Sequence, residues 1–87
     1  MNHALIFINC TTPDHPEVQQ IRTGFGDRVC SYSESSDKTE FLLSVTGENN
    51  FFDELKDLVR SHPKLHIYGY YGALGHDAKT AFGVFKE

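Results

Sequence analysis

Apolar residues along this chain recur at two spacings, and the order in which the spacings alternate predicts an architecture. From Ala4 to Cys10, Ala4, Ile6 and Ile8 alternate with Leu5, Phe7 and Asn9. Both sides of this first strand are therefore apolar, the pattern of a central strand covered on two faces. Thr11-Thr12-Pro13 breaks it. Asp14 with Glu17 three residues later then forms a capping-box pattern, with His15-Pro16 in a first turn that can spare backbone donors. Val18, Ile21 and Phe25 recur at helical spacing, and Gly24 and Gly26 supply the left-handed backbone that closes a last turn.

The second half begins with Arg28 to Ser33, whose weak alternation sets Val29 and Ser31 against Cys30 and Tyr32 and suggests an edge strand. Ser33 to Lys38 is a polar hairpin loop. In Glu40 to Thr46, Phe41, Leu43 and Val45 share one face, and Leu42, Ser44 and Thr46 the other. Gly47-Glu48-Asn49-Asn50 turns the chain, and Asn50 is suited to cap a second helix with Phe51, Phe52, Leu55, Leu58 and Val59 on its inner side. Acids in its first turn, Arg60 and His62 near its end, and Pro63 beyond complete that helix. Leu65, Ile67 and Gly69 are expected to face the helices while His66, Tyr68 and Tyr70 point away. Gly72 to Ala78 reads as a loop, and Lys79 to Lys86 as a fifth strand in a terminal hairpin.

The resulting order, β-α-β-β-α-β, predicts a single α+β domain over residues 1–87. It is a ferredoxin-like sandwich with a mainly antiparallel sheet in the order 4-1-3-2, right-handed crossovers, and an additional C-terminal strand. Two helices of this length cover one face of such a sheet. The other face is left for solvent, a ligand or a partner, and Leu5, Phe7, Leu42, Tyr68 and Tyr70 gather on it. A patch of that kind commonly marks a partner surface, unless the carboxy-terminal segment folds over it.

Composition narrows the class. At 87 residues with 39% apolar and 13% aromatic side chains, the chain is globular. No stretch approaches the roughly 20 apolar residues of a membrane helix. Met1 to Leu5 has no basic segment ahead of its apolar run and reads as a strand, so a cytoplasmic protein is the expectation. Cys10 and Cys30 are too few for a disulfide framework and are expected to be reduced. The net charge of −4 is uneven, with seven acids against Lys38 and Lys56 between Glu34 and Asp57. That middle should repel phosphate backbones. An RNA-recognition sheet needs a basic and aromatic signature on its third strand, and Thr39-Glu40-Phe41-Leu42-Leu43-Ser44-Val45 has none. Lys79-Thr80-Ala81-Phe82-Gly83-Val84-Phe85 imitates the signature only in the last strand, so no nucleic-acid partner is expected.

Chemistry-bearing residues are sparse. Cys10 ends a strand ahead of a helix, a position that can lower a thiol's pKa, with Thr11, Thr12, Asp14 and His15 nearby. The chain lacks a phosphatase-like Cys loop and a glycine-rich elbow, which favours an ordinary strand-end cysteine. His3, His15, His62, His66 and His76 match no metal-ligand spacing, so neither a metal site nor a cofactor is expected. In Gly69 to Asp77, Gly75 allows close backbone approach and His76-Asp77 could polarise a ligand, against the plainer reading of a hairpin loop.

Two readings follow. The first is a small, acidic, non-catalytic protein-binding module, of which a stoichiometric inhibitor of immunity or phage counter-defence type is one form. It contacts another protein or its own copy through the aromatic face (Leu5, Phe7, Leu42, Tyr68, Tyr70) and an acidic flank (Glu34, Asp37, Glu40, Asp53, Asp57). Edge pairing or back-to-back dimerisation is the economical form of self-association. The alternative is a ferredoxin-like dimer that binds a small molecule or carries an enzymatic site at Cys10, His66, Gly75, His76 and Asp77.

Overall fold

The computed structural model describes residues 2–12, 16–73 and 80–82. The elements are β1 (Asn2–Asn9), α1 (Pro16–Phe25), a 3₁₀ turn (Gly26–Arg28), β2 (Val29–Glu34), β3 (Glu40–Gly47), α2 (Phe51–Ser61), β4 (His66–Ala73) and β5 (Thr80–Phe82). The strands form one sheet in the order β2-β3-β1-β4-β5, every neighbouring pair antiparallel. With two helices packed on it, the fold is α+β.

β1 is central because it can bury one side completely. Ala4, Ile6 and Ile8 are at most 1% exposed. They share a core with Phe41, Leu43 and Val45 of β3, with Leu65 and with Ile67 of β4, closed from above by Val18, Ile21 and Phe25 of α1 and Phe51 and Leu55 of α2. The expected stripe of α1 is thus the buried one. Gly26 closes α1 with φ 58°, a left-handed conformation natural to glycine, whereas Gly24 lies inside the helix rather than beyond it.

Several boundaries and faces differ from expectation for physical reasons. β4 runs on to Ala73, past the expected loop start at Gly72, because it pairs with β1 as far as Asn2↔Ala73. The pairing of β2 with β3 shifts between Val29 and Ser31, leaving Cys30 as an extra residue. A bulge of this kind switches the side of the sheet that later residues face. Val29 and Tyr32 therefore both pack against the core, where simple alternation sets them on opposite sides. Asn50 precedes α2, yet its side chain makes no capping hydrogen bond. A turn closed by the Phe51 N–H donating to the Glu48 carbonyl (3.0 Å) holds Asn50 out of the extended backbone that capping uses. The Asp14 cap, the Gly75-His76-Asp77 loop and most of the expected fifth strand lie outside the described residues, and of that strand Thr80–Phe82 pairs with β4.

Gly47, expected only to turn the chain, ends β3 with its backbone against Phe51. A Cβ there would lie 2.2 Å from Cδ1 and 2.5 Å from Cγ of that ring, which is 1% exposed. Contact at Cγ means that the whole ring must move, not just its tip. The Gly47→Ala variant should therefore lose about 1–3 kcal/mol in a urea titration, the usual cost of overpacking. At Gly24, by contrast, nothing lies within 4 Å of the point a Cβ would occupy, and the residue sits on an exposed helix face. Gly24→Ala should gain about 0.5–1 kcal/mol in the same titration.

Candidate functional site

The side of the sheet away from the helices carries the residues that alternate with the core. His3, Leu5, Phe7 and Asn9 of β1 lie between Thr46, Ser44, Leu42 and Glu40 of β3 and Gly72, Tyr70, Tyr68 and His66 of β4. Ser33 and Ser31 of β2 extend the Leu42 and Ser44 rows. Leu5 is 38% exposed, Tyr68 42% and Tyr70 49%, the large apolar side chains most open to solvent among the described residues. Phe7 and Leu42 are half-buried beside them. The Phe7 and Tyr68 rings stack, centroids 5.3 Å apart and planes 14° from parallel. All five residues expected on this face are on it, and no described element packs over them.

The face is uneven in height. Tyr68 and Tyr70 stand up on the β4 side, while on the β3 side Ser44 is 8% exposed and shares a hydrogen bond with His3 Nε2. Where β1 meets the end of the β2–β3 hairpin, Phe7, Asn9, Glu34, Glu40, Leu42 and Tyr68 are among the residues that border a shallow depression of about 300 Å³.

The acidic flank does not form one surface with this face. Glu40 stands on it, next to Asn9. Glu34 pairs with Phe41, a core residue, at the sheet edge, where it borders the depression and lies 3.7 Å from Lys38 Nζ. Asp53 and Asp57 are on the outer surface of α2, across the sheet from the tyrosines, and Asp57 lies 3.6 Å from Arg60. Asp37 organises the hairpin. Its Oδ1 accepts from Ser35 Oγ (2.7 Å), Thr39 Oγ1 (2.7 Å) and the Thr39 N–H (3.2 Å). The bulge of β2, the hairpin bonds of Asp37 and the place of Asp53 and Asp57 on α2 disperse these acids.

Cys10 and His66 are not brought together either. Cys10 is 9% exposed in the core, and its N–H donates to the Thr39 carbonyl at 2.8 Å. Burial, with a lesser contribution from the Glu17 carboxylate, pushes its thiol up, the opposite of an activated nucleophile. His66 is exposed on the far side of the sheet. Gly75, His76 and Asp77 lie outside the described residues, among which no group of three or more His, Cys, Asp or Glu side chains could hold a metal ion. No helix among them is long and apolar enough to cross a membrane.

Contacts absent from the sequence reading hold the helical layer in place. Arg22 lies 3.8 Å over the Tyr32 ring, and Gln19 Nε2 donates to the Tyr32 hydroxyl at 3.0 Å, so α1 grips the outermost strand. Arg28 pairs with Glu54 through both guanidinium nitrogens, one at 2.9 Å, and His62 Nδ1 lies 3.0 Å from Glu17 Oε1, linking the end of α2 to the start of α1. Arg28 is held charged by its hydrogen bonds to Glu54. Phe52 stacks on Tyr71, 4.8 Å between centroids, and seats α2 on β4. Comparison with protein-family models, with curated proteins and with solved structures finds no match to this chain.

Hydrogen bonds from Ser35 and Thr39 lower the Asp37 carboxyl below its ordinary value of 3.8. A carboxyl depressed in the folded state contributes stability above its unfolded value and loses it as pH falls through the folded one. Asp37→Asn should therefore be less stable than the parent at neutral pH, and the difference should shrink below about pH 4, as read from thermal melts across that range.

Proposed function

We propose that this chain is a protein-binding module with no catalysis of its own and that it docks through the open face of the sheet. The observation that carries this reading is the contiguous exposure of Leu5, Tyr68 and Tyr70 around the stacked Phe7–Tyr68 pair, on a face where no described element packs. Such an apolar centre is the composition of an interface core, and tyrosine supplies large contact area at low entropic cost. Ser31, Ser33, Thr46, Asn9, Glu40 and His66 surround it as a polar rim.

A stoichiometric inhibitor of immunity or phage counter-defence type is the form that small size and a net charge of −4 fit, with a basic partner drawn by long-range attraction. Of the acids of the flank, Glu40 stands on the docking face and Glu34 borders its depression, so charge would hasten encounter more than it would fix orientation. We further infer a ferredoxin-like topology with β5 as an addition outside β4. Support comes from the order β2-β3-β1-β4, the antiparallel pairing and the two helices on one face. The small-molecule or enzymatic reading has less support, because Cys10 lies in the core with its thiol pushed up and His66 stands on the opposite face.

The combined Leu5→Ser, Tyr68→Ser and Tyr70→Ser variant tests the docking surface. These side chains are outward, so the circular dichroism spectrum should be retained. The partner cross-linked to the parent chain in its native cell, identified by mass spectrometry and then purified, should bind the variant at least about 30-fold more weakly. Equal affinity for parent and folded variant would reject the reading.

A further inference from the structure

We infer that the occupant of the open face is a second copy of this chain, docked face to face about a two-fold axis running along β1. The inference rests on the reading of that face as a docking surface and takes its self-associating form, in place of a basic foreign partner.

The two halves of the face differ in relief. On one side of β1 stand the tall Tyr68 and Tyr70, 42% and 49% exposed, and on the other lie the shorter Leu42 and the Ser44 side chain, the latter 8% exposed. The pairing fixes their heights along the sheet: Phe7 sits between Leu42 and Tyr68, and Leu5 between Ser44 and Tyr70. A rotation about β1 keeps each row at its own height and exchanges its two ends. Tyr68 then meets Leu42 of the second copy, high ground over low ground, and Tyr70 meets Ser44, whose hydroxyl is already bonded to His3. Leu5 and Phe7 meet their own copies near the axis, as a self-complementary contact requires.

The other in-plane two-fold axis, across the strands, exchanges the Phe7 and Leu5 rows instead. It would set Tyr68 against Tyr70 and Leu42 against Ser44, colliding on one side and leaving a void on the other. Packed protein surfaces tolerate neither.

Polar ends select the same arrangement. The outermost row reads Glu40, Asn9, His66 across β3, β1 and β4. Rotation about β1 places the Glu40 carboxylate over the His66 imidazole of the second copy, twice by symmetry, a donor and an acceptor of complementary character at each rim. Area is consistent as well. Four strands about 4.8 Å apart, each advancing about 3.3 Å per residue, give β strands of this length a footprint of roughly 500 Å² per copy. Two copies reach the lower bound of about 1,000 Å² for a specific interface.

Sedimentation equilibrium and a mixing experiment test this on the purified full chain. The parent should show a concentration-dependent dimer, and Tyr70→Ser, folded by circular dichroism, should raise its dissociation constant about tenfold or more. Glu40→Lys and His66→Glu should each dimerise more weakly alone. Mixed, they should form heterodimers in preference to either homodimer by native mass spectrometry, because the introduced ammonium of one chain would face the introduced carboxylate of the other at one rim and the parental pair would survive at the second. A parent that stays monomeric to about 1 mM would overturn the second copy. Loss of a host partner in the triple-serine variant would in that case still uphold the docking surface. A dimer indifferent to Tyr70→Ser and to the charge exchange would overturn the proposed arrangement.

Discussion

Everything in this fold depends on the pairing of β1 with both of its neighbours at once. From Asn2 to Asn9 each residue is matched to a residue of β3 on one side and of β4 on the other. The three strands must therefore agree about which side chains face the helices. A slip of one residue would send Ile6 and Ile8 out and bring Leu5 and Phe7 in. Both isoleucines are 0% exposed, and each fully buried aliphatic side chain is worth about 1.5–3 kcal/mol. One alternation thus defines both the core and the open face. The open face is the geometric complement of the core rather than an independent addition.

The helical layer seals one side and carries much of the charge. Its connections are of modest individual strength: half-exposed pairs such as Arg28–Glu54 contribute little in water. The precision of the layer comes instead from close packing, with Phe51 seated against the bare backbone of Gly47 and Phe52 stacked on Tyr71. Asp53 and Asp57 project from the outside of α2, whereas the sheet face holds mostly neutral groups. The acids of α2 and the apolar patch of the sheet consequently lie on opposite sides of the molecule.

Much of this is legible in the chain itself, and what is not has identifiable causes. Period-two alternation in β1, β3 and β4 and the helical spacing of Val18, Ile21 and Phe25 are long enough to define faces without help, and the buried residues follow them. In β2 the alternation is short and the extra residue at Cys30 reverses it, so Tyr32 packs inward, next to Leu43 of β3. Turn chemistry misleads where two local options compete. Asn50 could cap, but the Glu48–Phe51 turn prevails, and Asp37 reads as part of a charged flank but spends its carboxylate on hairpin bonds. The tight fit of Gly47 against Phe51 depends on approach between two elements, which neither periodicity nor propensity encodes.

The extra residue at Cys30 has a consequence for how the molecule can assemble. β2 is the outermost strand on its side, and an uninterrupted outermost strand invites another chain to zip onto it and then another, without end. The kink between Val29 and Ser31 breaks the even row of free amides and carbonyls on which such zipping relies. Growth by successive addition is discouraged along that edge.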